Sequence, residues 1–493
     1  MTMRSANNRV AKEQLRMTHS TLRAAVAALA ITASTALVSG PAIAQTSPHQ
    51  PTIGAPLPFT LPATRSFVLE NGLEVTFIDY GLAPTVRISV RMDVGNINDG
   101  PDTYLADLTA SMMEEGSAGR SSEELATSIA SMGGSVNVGV GWHTTNVGTN
   151  VLSQYGSDAV ALLADVVQRP DLDESEFDRV RQNLIRDTSV NRAQPGPIAT
   201  EAYREIMFGR DHPYGNSLPT EEQVRGYELV DVQAFYAENF GAGRTHIYVA
   251  GRFDQAAMET AIREHFGDWQ TGNANTLNGA APNGGPIVQM IDRPGTPQST
   301  LRVGFPSVAI DHPDARSLEV MNALLGGSFT SRLTRNLRED KGYTYSPRSG
   351  QTWTVGGGYW TFNADVNTEV TGAALMETFY EINRLKNDPI PAEEGDGIRT
   401  WMSGIFVLNN ASTGGVIGQL ANSAFWGLGD DFLENYVPSL MEVSNDDISR
   451  VANDYLDLDQ LVLVIVGDLA EIEDQVRALP ELADATFIMP DAE

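Results

Sequence analysis

Two stretches of this chain can be laid over each other without a gap. Residues 231–253 (DVQAFYAENFGAGRTHIYVAGRF) and 447–469 (DISRVANDYLDLDQLVLVIVGDL) align at a constant offset of 216, pairing Phe235 with Val451, Phe240 with Leu456 and Gly251 with Gly467. Each reads as a helix, a strand, a turn glycine and the start of another helix. A recurrence of this kind marks one supersecondary unit used twice, so the chain divides into two like halves.

The first half is the easier to read. Residues 67–80, FVLENGLEVTFIDY, signal a hairpin with Asn71-Gly72 at the turn, and residues 86–94 alternate as the next strand. The periodicity then predicts helices over 102–115 and 121–132, the second opened by the capping run SSEE, a strand pair within 136–152 and a helix over 158–168. Helical patterns at 174–190, 198–207 and 232–238 lead to a strand at 246–250 and a closing helix at 255–266. The fold class is therefore α+β: two tandem homologous domains arranged like a clam, each a mostly antiparallel sheet packed with helices. Structure is expected from Ser66 onward, the first domain covering 63–270 and the second 287–493. Between them residues 271–286, TGNANTLNGAAPNGGP, lack apolar periodicity and read as an exposed, flexible linker that permits hinge motion.

Upstream of the first domain, Arg23 precedes the apolar run AAVAALAITASTALV, and Ala42-Ile43-Ala44 supplies a small-residue cleavage site before Gln45. Residues 1–44 read as a secretory signal, so the expectation is an exported, periplasmic protein. Met17 stands just ahead of a signal of ordinary size, so a start at Met17, with 1–16 an over-extension, is one of two expectations left open. Residues 45–62, rich in Pro, Thr and Ser, read as a flexible lead-in. No other segment is long and apolar enough for a membrane span. Losing five basic residues and one acid with the signal takes the formal charge from −30 to −34, which speaks against nucleic acid as a partner. There are no cysteines, so disulfides, thiol catalysis and thiolate zinc sites are excluded.

Chemistry concentrates in residues 324–346, LLGGSFTSRLTRNLREDKGYTYS. Gly326 and Gly327 break one helical run, and Phe329, Leu333 and Leu337 then recur at i, i+4, i+8 as the apolar face of a new helix, with Ser328 or Thr330 placed to cap it. Arg338 sits near the helix C-terminus and Gly342 ends it. Arg338 and Tyr345 thus lie seven residues apart across a helix-to-strand turn. The pairing admits two readings: a solvated helix-end arginine with a core tyrosine, or a guanidinium and a phenol converging on one extended peptide.

This stretch resembles the C-terminal half of the insulinase/pitrilysin-type metallopeptidases, the inverzincins, including the processing-peptidase group, where a GGxxxSRL…LRE…G…YS run carries a substrate-binding Arg and Tyr. The matching positions are Arg338 and Tyr345. Active members carry H-x-x-E-H on the helix after the third strand, two His and a later Glu binding zinc while the first Glu activates water. Aligned on Gly116, the five positions are Asp107-Leu108-Thr109-Ala110-Ser111, and the later ligand falls on or near Asp187. The degenerate set Asp107, Ala110, Ser111 and Asp187 offers no imidazole and no general base at Ala110, so no cofactor is expected in this chain. The seven histidines contain no pair at i, i+3 or i, i+4. His212 matches a structural loop of the family, and His143, His246, His265 and His312 read as surface or core singles. There is no G-x-S-x-G elbow, and Gly356 to Gly358 lack the Lys-Ser/Thr of a phosphate loop.

The resemblance implies a non-catalytic subunit that lends Arg338 and Tyr345 to a zinc-bearing homologous partner during hydrolysis of a peptide substrate. Two other readings stay open: a non-proteolytic scaffold that keeps the two residues for packing, and an independent enzyme with a site of another kind.

Overall fold

The computed structural model describes residues 59–429 and 431–490. The signal and most of the lead-in lie outside the described residues. Among the described residues no helix is long and apolar enough to cross a membrane.

In the first half, β1 (Thr64–Val68) and β2 (Glu74–Asp79) form the expected antiparallel hairpin, with Gly72 at φ +89° in its turn. There follow β3 (Thr85–Met92), α1 (Leu105–Met113), a two-residue ribbon of β4 (Gly116–Ser117) and β5 (Arg120–Ser121), and α2 (Ser122–Ser131). The SSEE signal holds: Ser121 and Glu124 cap α2 reciprocally. Next come β6 (Asn137–Val140), β7 (Thr145–Leu152), α3 (Gly156–Gln168), α4 (Glu174–Arg192), α5 (Pro195–Phe208), α6 (Glu221–Gly226), α7 (Leu229–Asn239), β8 (Thr245–Gly251) and α8 (Gln255–Phe266). The strand order is β1-β2-β8-β3-β7-β6, with only β2 and β8 parallel.

In the second half, β9 (Ile287–Asp292), β10 (Gln298–Ser307) and α9 (Ala315–Asn322) precede the site segment. After it come β11 (Arg348–Thr354), β12 (Gly357–Asn367), α10 (Thr371–Asn387), α11 (Ala392–Asn409), α12 (Thr413–Phe425), α13 (Asp431–Glu434), α14 (Tyr436–Glu442), α15 (Asn445–Tyr455), β13 (Val462–Gly467), α16 (Leu469–Arg477) and β14 (Thr486–Ile488). The second sheet runs β11-β12-β10-β13-β9-β14, so five strands follow the same order in both sheets. The 216-residue offset superposes α7 on α15 end to end. This is the two-domain α+β architecture, each sheet mostly antiparallel and each with its own apolar core.

What joins the halves departs from the sequence reading. Each half lends a helix to the other's sheet. Ala199, Tyr203, Met207 and Phe208 of α5 pack against Val462, Val464 and Val466 of β13, while Val416, Ile417 and Ala421 of α12 pack against Ile78, Tyr248 and Ala250 of the first sheet. Gly304 of β10 lets Tyr203 approach so closely that a Cβ there would overlap the phenol. Beside this junction His143 Nε2 lies 2.6 Å from Tyr214 Oη, which accepts the Val355 N–H at 3.0 Å from the other half. The His143 ring also stacks on Phe425.

The linker is irregular and largely exposed as expected, yet it is not loose. Arg244 donates to the Asn273 and Ala274 carbonyls, Asn275 to the Asp93 carbonyl, and the Ala280 and Asn283 N–H groups bond to the Val355 and Met207 carbonyls. A connection tied at this many points does not act as a free hinge, which corrects the expected flexibility. The end of the lead-in is corrected too: Phe59 packs edge-on against Phe406, 5.0 Å between centroids, and Leu61 joins the same cluster.

Candidate functional site

Residues 328–346 are built on a helix that differs from the expected one. Ser331, rather than Ser328 or Thr330, accepts the Thr334 N–H, so the helix opens later than the apolar spacing suggests. Its turns over Thr334–Asp340 are wide, of the π type. Leu333 and Leu337 are fully buried, whereas Phe329 precedes the cap and is 67 % exposed. Gly342, at φ +65°, reverses the chain, and the Tyr343 N–H reaches back to the Leu337 carbonyl in the manner of a glycine C-cap.

The helix is fixed from below. Arg332, almost wholly buried, forms a bidentate pair with Glu394 at 2.9 and 2.8 Å, which holds that carboxyl below its usual range. Asn336 donates to Glu377 and Glu381 of α10, and Lys341 pairs with Glu377 at 2.8 Å. Arg338 points off this support. Its guanidinium carbon lies 4.7 Å from the centroid of the Tyr345 ring and 4.8 Å from that of Phe329, and its Nε is 3.2 Å from Glu339. Tyr345 is 78 % exposed, in a bend just before β11 rather than in the strand itself. The structure thus brings Arg338 and Tyr345 together and adds Phe329 to them. Stacking uses the face of a guanidinium and leaves N–H groups on its edge for oxygen acceptors.

The second set of sequence-predicted positions gathers less. Asp107, Ala110 and Ser111 sit on α1, but α1 starts at Leu105 instead of near Asp102. The reason is Asp99: its carboxylate accepts the Tyr104 and Ala106 N–H groups at 2.9 and 2.8 Å, and Tyr104 takes φ +68° immediately before the helix. Asp107 is half-buried and accepts from Asn96, which also donates to Asp99. Burial pushes the Asp107 carboxyl up, and pushes Asp99 up to about 7 against the hydrogen bonds that favour its anion. Ala110 is buried, Ser111 faces solvent, and Asp187 is exposed on α4, where its neighbour Thr188 turns inward instead. Among the described residues no cluster of three His, Asp or Glu is placed to hold a metal ion. Methyl, hydroxyl and an outward carboxylate do not make a zinc ligand set, so these residues do not fit the metal. Sequence reasoning put Phe329 on the buried face of the helix and missed the pairing of Arg332 and the Asn96–Asp99 cap; the last was signalled only by an Asn-x-x-Asp spacing ahead of an apolar helix.

Comparison with known proteins bears on the family and the fold. Residues 76–221 match the family model described as insulinase (peptidase family M16), and residues 228–400 that described as peptidase M16 inactive domain. The uncharacterized zinc protease YmxG of Bacillus subtilis is 25% identical over 357 residues, 71% of this chain and 85% of that protein. An uncharacterized zinc protease of Rickettsia bellii is 23% identical, over 67% of this chain and 80% of its own length. Among solved structures, a peptidase M16 inactive domain from Pseudomonas fluorescens superposes with a TM-score of 0.75 at 22% identity, covering 82% of this chain and 98% of that one. A protease from Helicobacter pylori gives 0.77 at 19% identity, covering 83% and 100%. With both halves matched in order by the models of one family, the chain belongs to the insulinase family of peptidases, M16.

Proposed function

We propose that the chain is an exported, substrate-binding subunit that completes the active site of a zinc-bearing homologous partner in peptide hydrolysis. The observation that carries this reading is the convergence of Arg338 on Tyr345 with the phenol left in solvent. The zinc belongs to the partner, because the residues of α1 and α4 do not suit it. In this reading Tyr345 donates its O–H to the oxygen of the peptide carbonyl as negative charge builds there, an interaction stronger in the transition state than in the substrate. Arg338 holds a neighbouring carbonyl of the extended peptide with its edge N–H groups. The exposure of Tyr345 supports this role over a scaffold, since a ring so open to water contributes little to packing.

Co-expression tests the proposal. The chain from Gln45 onward, produced with an exported homologue that keeps H-x-x-E-H, is expected to co-purify with it, and peptide cleavage is expected from the mixture and not from either chain alone. Full cleavage by the homologue on its own would remove the role.

A further inference from the structure

Next to the Arg338 cluster lies a groove of about 560 Å³, on whose rim stands the Glu394 that fastens Arg332. Its apolar lining is Leu324, Pro391, Ile398 and the half-exposed Trp401. Its polar lining from the site segment is Ser328, Thr330 and Arg335. Ser328 is 3 % exposed and its Oγ has no hydrogen-bond partner, an arrangement that is costly unless something enters to bond it. Arg335 is exposed and makes no ion pair among the described residues. Of the two acids on the rim, Glu394 spends both oxygens on Arg332, and Glu393 stands in the exposed first turn of α11, able to accept an N–H. Arg384, the remaining cation, is held by Glu381 at 3.3 Å.

We infer that this groove anchors the C-terminal end of a bound peptide, its carboxylate on Arg335 and Ser328 and an apolar last side chain against Leu324, Ile398 and Trp401. A bare inorganic anion would leave the apolar lining unused, and an apolar ligand without an acid would leave Ser328 and Arg335 unpaired. Arg335 and Arg338 stand three residues apart on the same helix, so a peptide held at Tyr345 and Arg338 has this anchor close by. The inference rests on the reading of the chain as a peptide-binding subunit and names the kind of peptide end it takes.

The test is calorimetric titration of the chain from Gln45 onward with a short peptide ending in Leu, supplied as the free acid and as the carboxamide. The free acid is expected to bind about tenfold or more tightly, the worth of a charge-assisted hydrogen bond. Arg335→Ala, an exposed position, is expected to bring the acid down to the affinity of the amide, and Ser328→Ala to weaken it in part. Equal binding of acid and amide, binding of neither, or an unchanged preference in Arg335→Ala overturns the inference. Repeating the titration with Tyr345→Phe separates the two readings. A retained acid preference, with cleavage by the reconstituted pair unaffected by that substitution, leaves the groove standing and removes the catalytic role. Lost cleavage with no acid preference does the reverse.

Discussion

Arg332 and Arg338 stand on one short helix and do opposite things. Arg332 is buried against Glu394 and holds the helix down, while Arg338 lies between two exposed rings and faces solvent. Removing Arg332 leaves a carboxylate partly buried without its cation, so Arg332→Ala is expected to cost about 3 kcal/mol in urea unfolding; a change near zero would show that the pair does not fasten the site helix. Arg338 and Tyr345 were legible in the sequence, because the motif and the Gly342 turn fix their spacing. Phe329 was misplaced because apolar periodicity counts from any residue, and only the Ser331 cap shows where this helix starts. Arg332 stands in the SRL of the motif, but its pairing was not legible: its partner is 62 residues away, and nothing local distinguishes a buried arginine from a solvated one. Asp187 was placed by spacing alone, and the turn of α4 sets it outward.

At the scale of elements, the strands and helices follow from patterning, and the repeat gave their duplication. Its consequence for packing was not readable, because an apolar helix face says that it is buried and not which sheet buries it. The exchange of α5 and α12 between the halves makes the junction part of the core, with His143 at its edge. Burial and the nearby Arg91 push the His143 imidazole down to about 4 from 6.5. The folded state therefore keeps His143 neutral where the unfolded chain is already protonated. Stability is expected to fall as pH drops from 6.5 toward 4, by about 3 kcal/mol from this group. Urea unfolding of the native chain and His143→Gln across that range checks it: the substitution is expected to flatten the profile, and parallel profiles would contradict the assignment.

For the whole molecule, the irregular linker matters less than its composition suggested, since the halves are joined by helices from each side and the linker is itself tied down. A chain nicked within 271–286 is expected to elute from gel filtration as one particle under native conditions; separation of the two fragments would count against the interlock. Such a body presents Arg338 and Tyr345 on a fixed surface, which a subunit completing another's active site requires. The kinetics of the reconstituted pair test that claim most directly. Tyr345→Phe is expected to lower kcat by on the order of 10²-fold, as loss of one oxyanion donor does, and Arg338→Ala to act mainly on KM, with both variants still folded and still bound to the partner. Unchanged peptide cleavage with both substitutions, while the partner's zinc motif stays essential, would contradict it.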